Sequence, residues 1–244
     1  MSVIAQAGAK GRQLHKFGGS SLADVKCYLR VAGIMAEYSQ PDDMMVVSAA
    51  GSTTNQLISW LKLSQTDRLS AHQVQQTLRR YQCELISGLL PADVAEALTS
   101  LFISDLERLA NLLDSGVNDA VYAEVVGHGE VWSARLMSAV LNQQGMESAW
   151  LDAREFLRAE RAAQPQVDEG LSYPLLQQLL IQHPQKRLVV TGFISRSNAG
   201  ETVLLGRNGS DYSATQIGAL AGVSRVTIWS DVAGVYSADP VSYT

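Results

Sequence analysis

The residues at the start of the chain combine a lysine, two glycines and two serines in a way that suits phosphate chemistry. They read Lys16-Phe17-Gly18-Gly19-Ser20-Ser21. The lysine ends a β-strand predicted over residues 12–17, and the serines offer capping oxygens to a helix predicted over residues 22–38. Glycines let the backbone approach a ligand closely, a helix N-terminus presents N–H groups, and lysine adds a mobile positive charge. The segment predicts a phosphate cradle or, equally, an ordinary strand–turn–helix connection.

A second glycine-rich connection lies near residue 207. It reads Leu205-Gly206-Arg207-Asn208-Gly209-Ser210-Asp211 and leads into a helix predicted over residues 211–221. Arg207 can grip a carboxylate through two parallel N–H groups. Asp211, at the helix start, can cap the helix and can also orient a lysine or a metal ion. A plain capped turn is the alternative, but two such loops in one chain favour a ligand site.

Polar residues also follow the last predicted strand, over residues 224–229. Ser230 and Asp231 come directly after it, and Tyr236 lies a little further along. Ligands of open α/β sheets bind at the carboxyl ends of strands, and the tyrosine ring can pack on a base or a sugar. The alternative is a surface loop that bears polar residues but binds no ligand.

Two glycines interrupt a predicted long helix at Gly127-His128-Gly129-Glu130. Each glycine disfavours the helix by about 1 kcal/mol relative to alanine, so the sequence predicts a close ligand approach where the helix restarts. Glu130 is then a candidate to bind an ammonium group. His128 is interpreted as a structural residue rather than a general base.

Small hydroxyl-bearing residues follow the second predicted strand, over residues 44–48. Ser48 ends that strand, and Thr54 lies in the loop that leads to the next helix. Their hydroxyl groups can line a substrate pocket, or they can simply cap the helix.

Strands and helices alternate along most of the chain. Leucines recur at helical spacing through residues 70–141, and a hairpin is predicted over residues 196–205. The pattern predicts a three-layer α/β sandwich with a mainly parallel central sheet and a long helical insertion between the second and third strands. The five sheet strands are predicted over 12–17, 44–48, 147–151, 187–193 and 224–229.

The composition excludes several classes of protein. Apolar residues make up 46% of the 244 residues and charged residues 18%, which is ordinary globular usage and excludes global disorder. The net charge of −5 argues against nucleic acid as a partner, and no apolar run approaches the ~20 residues that span a membrane. Cys27 and Cys83 cannot make a disulfide framework. With no signal-peptide pattern, the sequence predicts a cytoplasmic protein.

Several common phosphate-binding signatures are absent from the sequence. A G-x-x-x-x-G-K-[ST] loop is missing, and so are the catalytic motifs of protein kinases and a G-x-G-x-x-G fingerprint at a strand end. P-loop enzymes, protein kinases and dinucleotide-binding enzymes are therefore disfavoured.

Six segments in order resemble the aspartokinases, which belong to the amino acid kinase fold family. They are KFGGSS, VVSAAGSTTN, GHGE, VVTGFI, LGRNGSDYSA and WSDVAGVYSADP. Each segment is weak alone, but six in the same order and spacing are specific. The resemblance covers about residues 12–240 and is strongest to the kinase portion of bifunctional aspartokinase–homoserine dehydrogenases of the methionine branch. It implies ATP-dependent phosphorylation of the β-carboxylate of L-aspartate to 4-phospho-L-aspartate.

The resemblance also implies roles for individual residues. Lys16 would neutralise charge on the transferring phosphoryl group, and Asp211 would hold Lys16. The substrate α-ammonium group would lie on Glu130. The other residues implied to contact substrate are Arg207, on the α-carboxylate, with Ser48 and Thr54.

For the nucleotide, the resemblance implies ATP as co-substrate and Mg²⁺ on its phosphates, with few protein ligands to the metal. The residues implied to line the phosphate path or border the nucleotide are Gly18, Gly19, Ser20, Ser230, Asp231 and Tyr236.

The sequence departs from the family pattern at three positions. Asn208 replaces a glycine, which asparagine can do because it tolerates left-handed backbone. Ser230 replaces a threonine, and Val241 stands where the family has an arginine. We therefore expect an amino acid kinase domain over residues 12–240 that is truncated at its C-terminal end. We further expect a flexible arm over 1–11, an atypical tail over 241–244, and no regulatory ACT or dehydrogenase domain.

Two other functions stay open at this point. One is an inactive kinase fragment that retains ligand binding and self-associates through the surface that truncation exposes. The other is a related carboxylate kinase that acts on glutamate. In either case the expected partners are small molecules and a further copy of the chain, not nucleic acid or a membrane.

Overall fold

The central element is a sheet of five parallel strands in the order β3-β4-β2-β1-β7, seen in a computed structural model that describes residues 11–230. Strands β5 and β6 form a separate antiparallel hairpin. The strands are β1 (Gln13–Phe17), β2 (Met44–Val47), β3 (Ser148–Leu151), β4 (Arg187–Thr191), β5 (Ile194–Arg196), β6 (Thr202–Leu204) and β7 (Arg225–Trp229). The predicted mainly parallel sheet is confirmed.

Between residues 11 and 230, seven α-helices cover this sheet and build the insertion. They are α1 (Val25–Tyr38), α2 (Thr53–Ser64), α3 (Arg68–Leu89), α4 (Ala92–Asp114), α5 (Asp119–Gln143), α6 (Glu169–Gln182) and α7 (Gly209–Leu220). Helices α2 to α5 form the predicted insertion between β2 and β3. None of the helices described over residues 11–230 is long and apolar enough to cross a membrane.

The sheet is buried on both faces, as a parallel sheet requires. Alternate residues of β1 enter different cores: Phe17 packs on the α1 and α5 side, and Leu14 packs on the α6 and α7 side. All four residues of β2 are buried. The result is the predicted three-layer sandwich, in which Lys16 shares the face of Leu14 and points toward α7.

The helix after β1 begins later than the sequence indicates. A 3₁₀ turn occupies Gly19–Leu22, and α1 starts at Val25 with Asp24 as its N-cap. The Asp24 carboxylate accepts a hydrogen bond from the backbone N–H of Cys27 at 2.8 Å. Ser20 and Ser21 lie in the 3₁₀ turn before the helix, so the expectation that one of them caps it is wrong. A carboxylate at the N-cap is also stabilised by the positive end of the helix dipole.

The fourth sheet strand ends earlier than predicted. The prediction ran to residue 193, but β4 stops at Thr191. The backbone N–H of Gly192 still donates to the carbonyl oxygen of Val47 at 2.9 Å, but Phe193 adopts a left-handed φ of 64°, which turns the chain out of the sheet. This turn brings Phe193 to the carboxyl ends of the strands.

Candidate active site

A cleft of about 310 Å³ opens where the carboxyl ends of β1, β2 and β4 meet the N-terminus of α7. Open α/β sheets bind ligands at this edge, because the loops that leave neighbouring parallel strands converge there. The residues that line the cleft are Lys16, Gly19, Ser48, Ala49, Gly51, Thr54, Glu130, Phe193, Gly206, Asn208, Gly209, Ser210 and Asp211.

Lys16 and Asp211 form an ion pair at the floor of this cleft. The ammonium nitrogen Nζ lies 2.6 Å from Oδ1 of Asp211. The lysine side chain is 10% exposed and the aspartate side chain 40% exposed. The lysine comes from the end of β1 and the aspartate from the first turn of α7, so the pair places a fixed positive charge beside the N-terminal end of that helix.

The loops that follow β1 and β2 lie very close together. The backbone N–H of Gly51 donates to the carbonyl oxygen of Gly19 at 2.9 Å. A Cβ atom on Gly19 would stand 2.7 Å from the carbonyl oxygen of Ala49, which is closer than packing allows. Glycine is therefore required at position 19 by the neighbouring loop, and the cleft wall is formed by backbone.

Glu130 supplies a buried carboxyl group to the lining of the same cleft. It lies within α5, is 3% exposed, and its Oε2 has no hydrogen-bond partner among the described residues. Burial raises the pKa of Glu130 to about 8, although a backbone hydrogen bond from Ala49 and the charge of Lys16 act in the opposite direction. Such a group is suited to receive a hydrogen-bond donor or a cation from a ligand.

The two glycines beside Glu130 do not interrupt the helix, so that expectation is wrong. Helix α5 runs unbroken from Asp119 to Gln143. A Cβ atom on Gly127 would stand 2.6 Å from Cγ2 of Ile194, and one on Gly129 would stand 2.9 Å from the side chains of Ala49 and Thr53. The glycines let α5 press against the hairpin on one side and the cleft loop on the other.

The loop that leads into α7 contains backbone in the left-handed region. Gly206 has a φ of 79° and Asn208 a φ of 57°. Asparagine is among the few residues other than glycine that adopt this conformation readily, so the predicted tolerance at position 208 is confirmed by the geometry. A hydrogen bond from the backbone N–H of Phe193 to Oγ of Ser213, at 2.9 Å, ties α7 to the β4 turn.

The structure brings six of the twelve sequence-predicted site residues to the cleft lining. They are Lys16, Gly19, Ser48, Thr54, Glu130 and Asp211. Gly18 is not in the lining, but a Cβ atom there would lie 3.6 Å from Nζ of Lys16. Ser20 is exposed in the 3₁₀ turn and does not line the cleft.

Arg207 lies outside the cleft lining. Its side chain is exposed and borders a neighbouring cavity of about 330 Å³, together with Pro165, Gln166 and Tyr212. Gly206 lines both cavities, so the arginine is one residue from the cleft.

The three residues expected to border the nucleotide from the last strand are not in the cleft lining either. Ser230 is exposed, directly after the end of β7, which is the neighbour of β1 in the sheet. Asp231 and Tyr236 lie outside the described residues.

His128 faces away from the cleft, in agreement with its structural interpretation. It is buried, with Nε2 at 3.3 Å from Oδ2 of Asp105 and Nδ1 at 3.6 Å from Oε1 of Glu124. Glu124 in turn accepts hydrogen bonds from Arg154 at 2.7 Å and from Thr202 at 2.6 Å. This network joins α4, α5, the segment after β3 and the hairpin.

Seven residues of the cleft wall carry no site role in the sequence analysis, and three of them lie there with side chains that were not discussed. Ala49, Phe193 and Ser210 line the cleft. Phe193 lies in the VVTGFI segment, as the last residue of a predicted strand, and that position was the available signal. Ala49 and Ser210 bear small side chains whose local sequence gives no signal.

The described residues do not form a protein-built metal centre. Over residues 11–230, no group of three or more His, Cys, Asp or Glu side chains is placed to hold a metal ion. The carboxylates of the cleft are Glu130 and Asp211, and Asp211 is engaged by Lys16.

Comparison with known proteins agrees with this geometry. The sequence pattern of the amino acid kinase family matches residues 11–244. Over 240 residues the chain is 93% identical to the bifunctional aspartokinase/homoserine dehydrogenase 2 of Escherichia coli, covering 98% of this chain and 30% of that relative. It is 32% identical over 234 residues to the chloroplastic bifunctional enzyme 2 of Arabidopsis thaliana, covering 93% of this chain and 26% of that relative.

A solved structure gives the same result for the fold. The crystal structure of E. coli aspartokinase III in complex with aspartate and ADP superposes with a TM-score of 0.86 at 28% identity, covering 94% of this chain and 51% of that one. The chain thus spans less than a third of the two curated relatives and about half of the solved structure. On its sequence, its sheet and its cleft, the chain belongs to the amino acid kinase family and carries a kinase domain of the aspartokinase type.

Proposed function

We propose that the cleft transfers the γ-phosphoryl group of ATP to the side-chain carboxylate of L-aspartate, giving 4-phospho-L-aspartate and ADP. The observation that carries this proposal is the Lys16–Asp211 ion pair, which lies 2.6 Å apart beside the N-terminus of α7 and in the same cleft as the buried Glu130. In this proposal the ion pair and the start of α7 receive the phosphoryl group, and Glu130 receives an ammonium group.

In this proposal the reaction is a direct transfer. A β-carboxylate oxygen of aspartate attacks the γ-phosphorus, the bond to the β–γ bridging oxygen breaks, and ADP leaves with that electron pair. Negative charge on the transferring group is stabilised by the Lys16 ammonium group and by backbone N–H groups at the start of α7. Asp211 holds the lysine in place, so no reorganisation is needed as charge develops.

The substrate is held by groups along the cleft. Glu130 binds the α-ammonium group, and the hydroxyls of Ser48 and Thr54 reach the substrate from the loop after β2 and from α2. Arg207 binds the α-carboxylate, which requires its side chain to turn from the neighbouring cavity past Gly206. Positioning of this kind supplies much of the rate in a phosphoryl transfer that needs no covalent intermediate.

ATP is the proposed phosphoryl donor, and the related aspartokinase III was solved with ADP and aspartate bound. Gly19 lines the cleft, and Gly18 and Ser20 are its neighbours in the chain; all three are proposed to line the phosphate path. Ser230, Asp231 and Tyr236 are proposed to border the nucleotide. Mg²⁺ would be bound by the nucleotide's phosphates rather than by a set of protein side chains, and it would reduce the negative charge of those phosphates.

The wider setting follows from the same proposal. A carboxyl phosphate is an activated intermediate, so the reaction belongs in a biosynthetic route from aspartate, and we place it in the cytoplasm, in the pathway toward lysine, threonine and methionine. We also propose that the protein associates with further copies of itself. Within the described part of the chain, β7 pairs with β1 alone and so presents an open sheet edge.

The proposal is tested by trapping the product as a hydroxamate. The protein is incubated with ATP, Mg²⁺ and hydroxylamine, with L-aspartate or L-glutamate as acceptor. We expect an ATP-dependent signal with aspartate at least tenfold above that with glutamate. A larger signal with glutamate identifies a glutamate kinase, and no signal with either acceptor identifies an inactive fragment; each result overturns the proposal.

A further inference from the structure

Glu130 has lost contact with water without gaining a cation. It is 3% exposed, and Oε2 has no hydrogen-bond partner among residues 11–230. Lys16 is the one cationic side chain among the described residues that line the cleft, and it is already paired with Asp211. An isolated buried carboxylate is strongly disfavoured and takes up a proton instead.

The charged and titratable groups around Glu130 come from three elements. Strand β1 contributes Lys16, whose charge acts on Glu130, and α7 contributes Asp211, which lines the same cleft. Helix α1 contributes Tyr28, a fully buried phenol that lies 3.1 Å from Oγ of Ser133 and whose own pKa is raised by burial. Tyr28 is neutral and Asp211 is negative, so Lys16 is the single group of the three that favours an ionised Glu130.

We propose that the cleft exchanges a proton for the ammonium group of its amino acid ligand: Glu130 carries a proton when the cleft is empty and releases it when the ligand binds. This inference rests on the proposed function, because it takes the ligand to be an amino acid. The O–H bond of the carboxyl group breaks and the proton passes to bulk water. The ligand's ammonium group keeps its three protons and pairs with the carboxylate that remains.

The direction of the Glu130 pKa supports this exchange. Burial raises the pKa of Glu130 to about 8, so at pH 7 the protonated form of the carboxyl group predominates in the empty cleft. The arriving ammonium group supplies the countercharge that the site lacks, and the carboxyl group ionises. A dicarboxylate without an amino group cannot displace the proton, so the exchange also discriminates between L-aspartate and succinate.

Isothermal titration calorimetry measures the exchange directly. L-Aspartate is titrated into the protein at one pH in two buffers of different ionisation enthalpy, and the difference in heat gives the number of protons released. We expect release of about 0.9 proton per ligand at pH 7 and about 0.2 at pH 8.5. Succinate is expected to release none. The affinity for aspartate is expected to rise about eightfold between pH 6.5 and pH 7.5.

Glu130→Gln is the matched variant, because glutamine keeps the shape of the protonated group and cannot ionise. We expect it to lose the proton release and the pH dependence of aspartate affinity, while it retains succinate affinity within about twofold. If this variant does not fold, the proton release measured with the wild-type protein and with succinate still tests the inference.

Three results overturn the inference. The first is aspartate binding at pH 7 without proton release. If aspartyl phosphate is still formed in that case, the inference fails but the proposed function survives. The second is equal proton release by wild type and Glu130→Gln, because the proton then comes from another group. Absence of any aspartate binding overturns the inference and the proposed function together.

Discussion

The ammonium group of Lys16 lies 2.6 Å from Oδ1 of Asp211 and joins the end of β1 to the first turn of α7. The two residues are far apart in the sequence, and the contact exists because β1 and α7 pack directly on each other. The pair fixes a positive charge at the floor of the cleft.

Replacement of Lys16 by methionine is expected to lower kcat for aspartyl phosphate formation by about 10²- to 10³-fold. Methionine fills similar space but provides no charge or donor for the transferring phosphoryl group, and loss of one such donor has effects of about this size. The hydroxamate assay measures it. Lys26→Met, at an exposed position of α1, is the matched control and should retain full activity. Near wild-type activity in Lys16→Met contradicts the proposed role.

Asp211→Asn is expected to lower kcat by about tenfold, since the amide still occupies the site but no longer holds the ammonium group by charge. If Asp211 acts through Lys16, the double variant Lys16→Met/Asp211→Asn should be no slower than Lys16→Met alone. Steady-state kinetics of wild type, the two single variants and the double variant give this double-mutant cycle. Multiplicative losses in the double variant would show that Asp211 has an independent role.

Gly129→Ala is expected to destabilise the protein by about 1–3 kcal/mol, because the added methyl group meets Ala49 and Thr53 at 2.9 Å. The matched control is Gly33→Ala on α1, where no atom lies within 4 Å and alanine should stabilise the helix by about 0.5–1 kcal/mol. Denaturant unfolding measures both. Equal effects of the two substitutions would contradict the close approach of α5 to the cleft loop.

Asn208→Ala is expected to lower the free energy of unfolding by about 1 kcal/mol, and Asn208→Gly should be neutral or slightly stabilising. The reason is the left-handed backbone at this position, with a φ of 57°, which alanine adopts poorly and glycine freely. The comparison uses urea midpoints at constant m-value. An alanine variant as stable as the glycine variant would mean that the loop has another conformation in solution.

Glu124→Gln is expected to lower the free energy of unfolding by about 2 kcal/mol at pH 7, because it removes one of the two carboxylates that contact Arg154 and one of the two that contact His128. Burial would raise the pKa of Glu124, but the hydrogen bond from His128 and the charge of Arg154 lower it well below its ordinary value. A lowered folded-state pKa contributes stability that is full above the unfolded pKa of about 4.5 and is lost as the pH falls below it.

The difference between wild type and Glu124→Gln should therefore be constant from pH 6 to pH 7 and shrink as the pH falls below about 4. Thermal unfolding across this range measures it. A difference that grows in acid would contradict the assigned ionisation state.

Much of the fold follows from local patterns in the sequence. Short apolar runs such as Met44–Val47 predict buried strands, and leucines at helical spacing predict the insertion, because each pattern repeats within one element. Boundaries that depend on a neighbour were less well predicted. Asp24 rather than Ser20 caps α1, and the left-handed backbone at Phe193 turns the chain out of the sheet just after β4 ends at Thr191.

The same division holds at the site. The sequence by itself determined the chemical groups: Lys16, Glu130 and Asp211 each stand in a motif with a glycine nearby, and each lies in the cleft. The sequence did not determine that the GHGE glycines serve helix packing, or that Arg207 points to a neighbouring cavity. These facts depend on how α5 and the loop before α7 meet other elements.

The tertiary structure alone decided the electrostatics of the cleft. Lys16 and Asp211 become an ion pair only when β1 and α7 are packed together, and Glu130 acquires its raised pKa only when α1, α2 and the cleft loops exclude water from around it. Charge state and affinity depend on solvation and on distances between remote segments, whereas motifs describe residues that are neighbours along the chain.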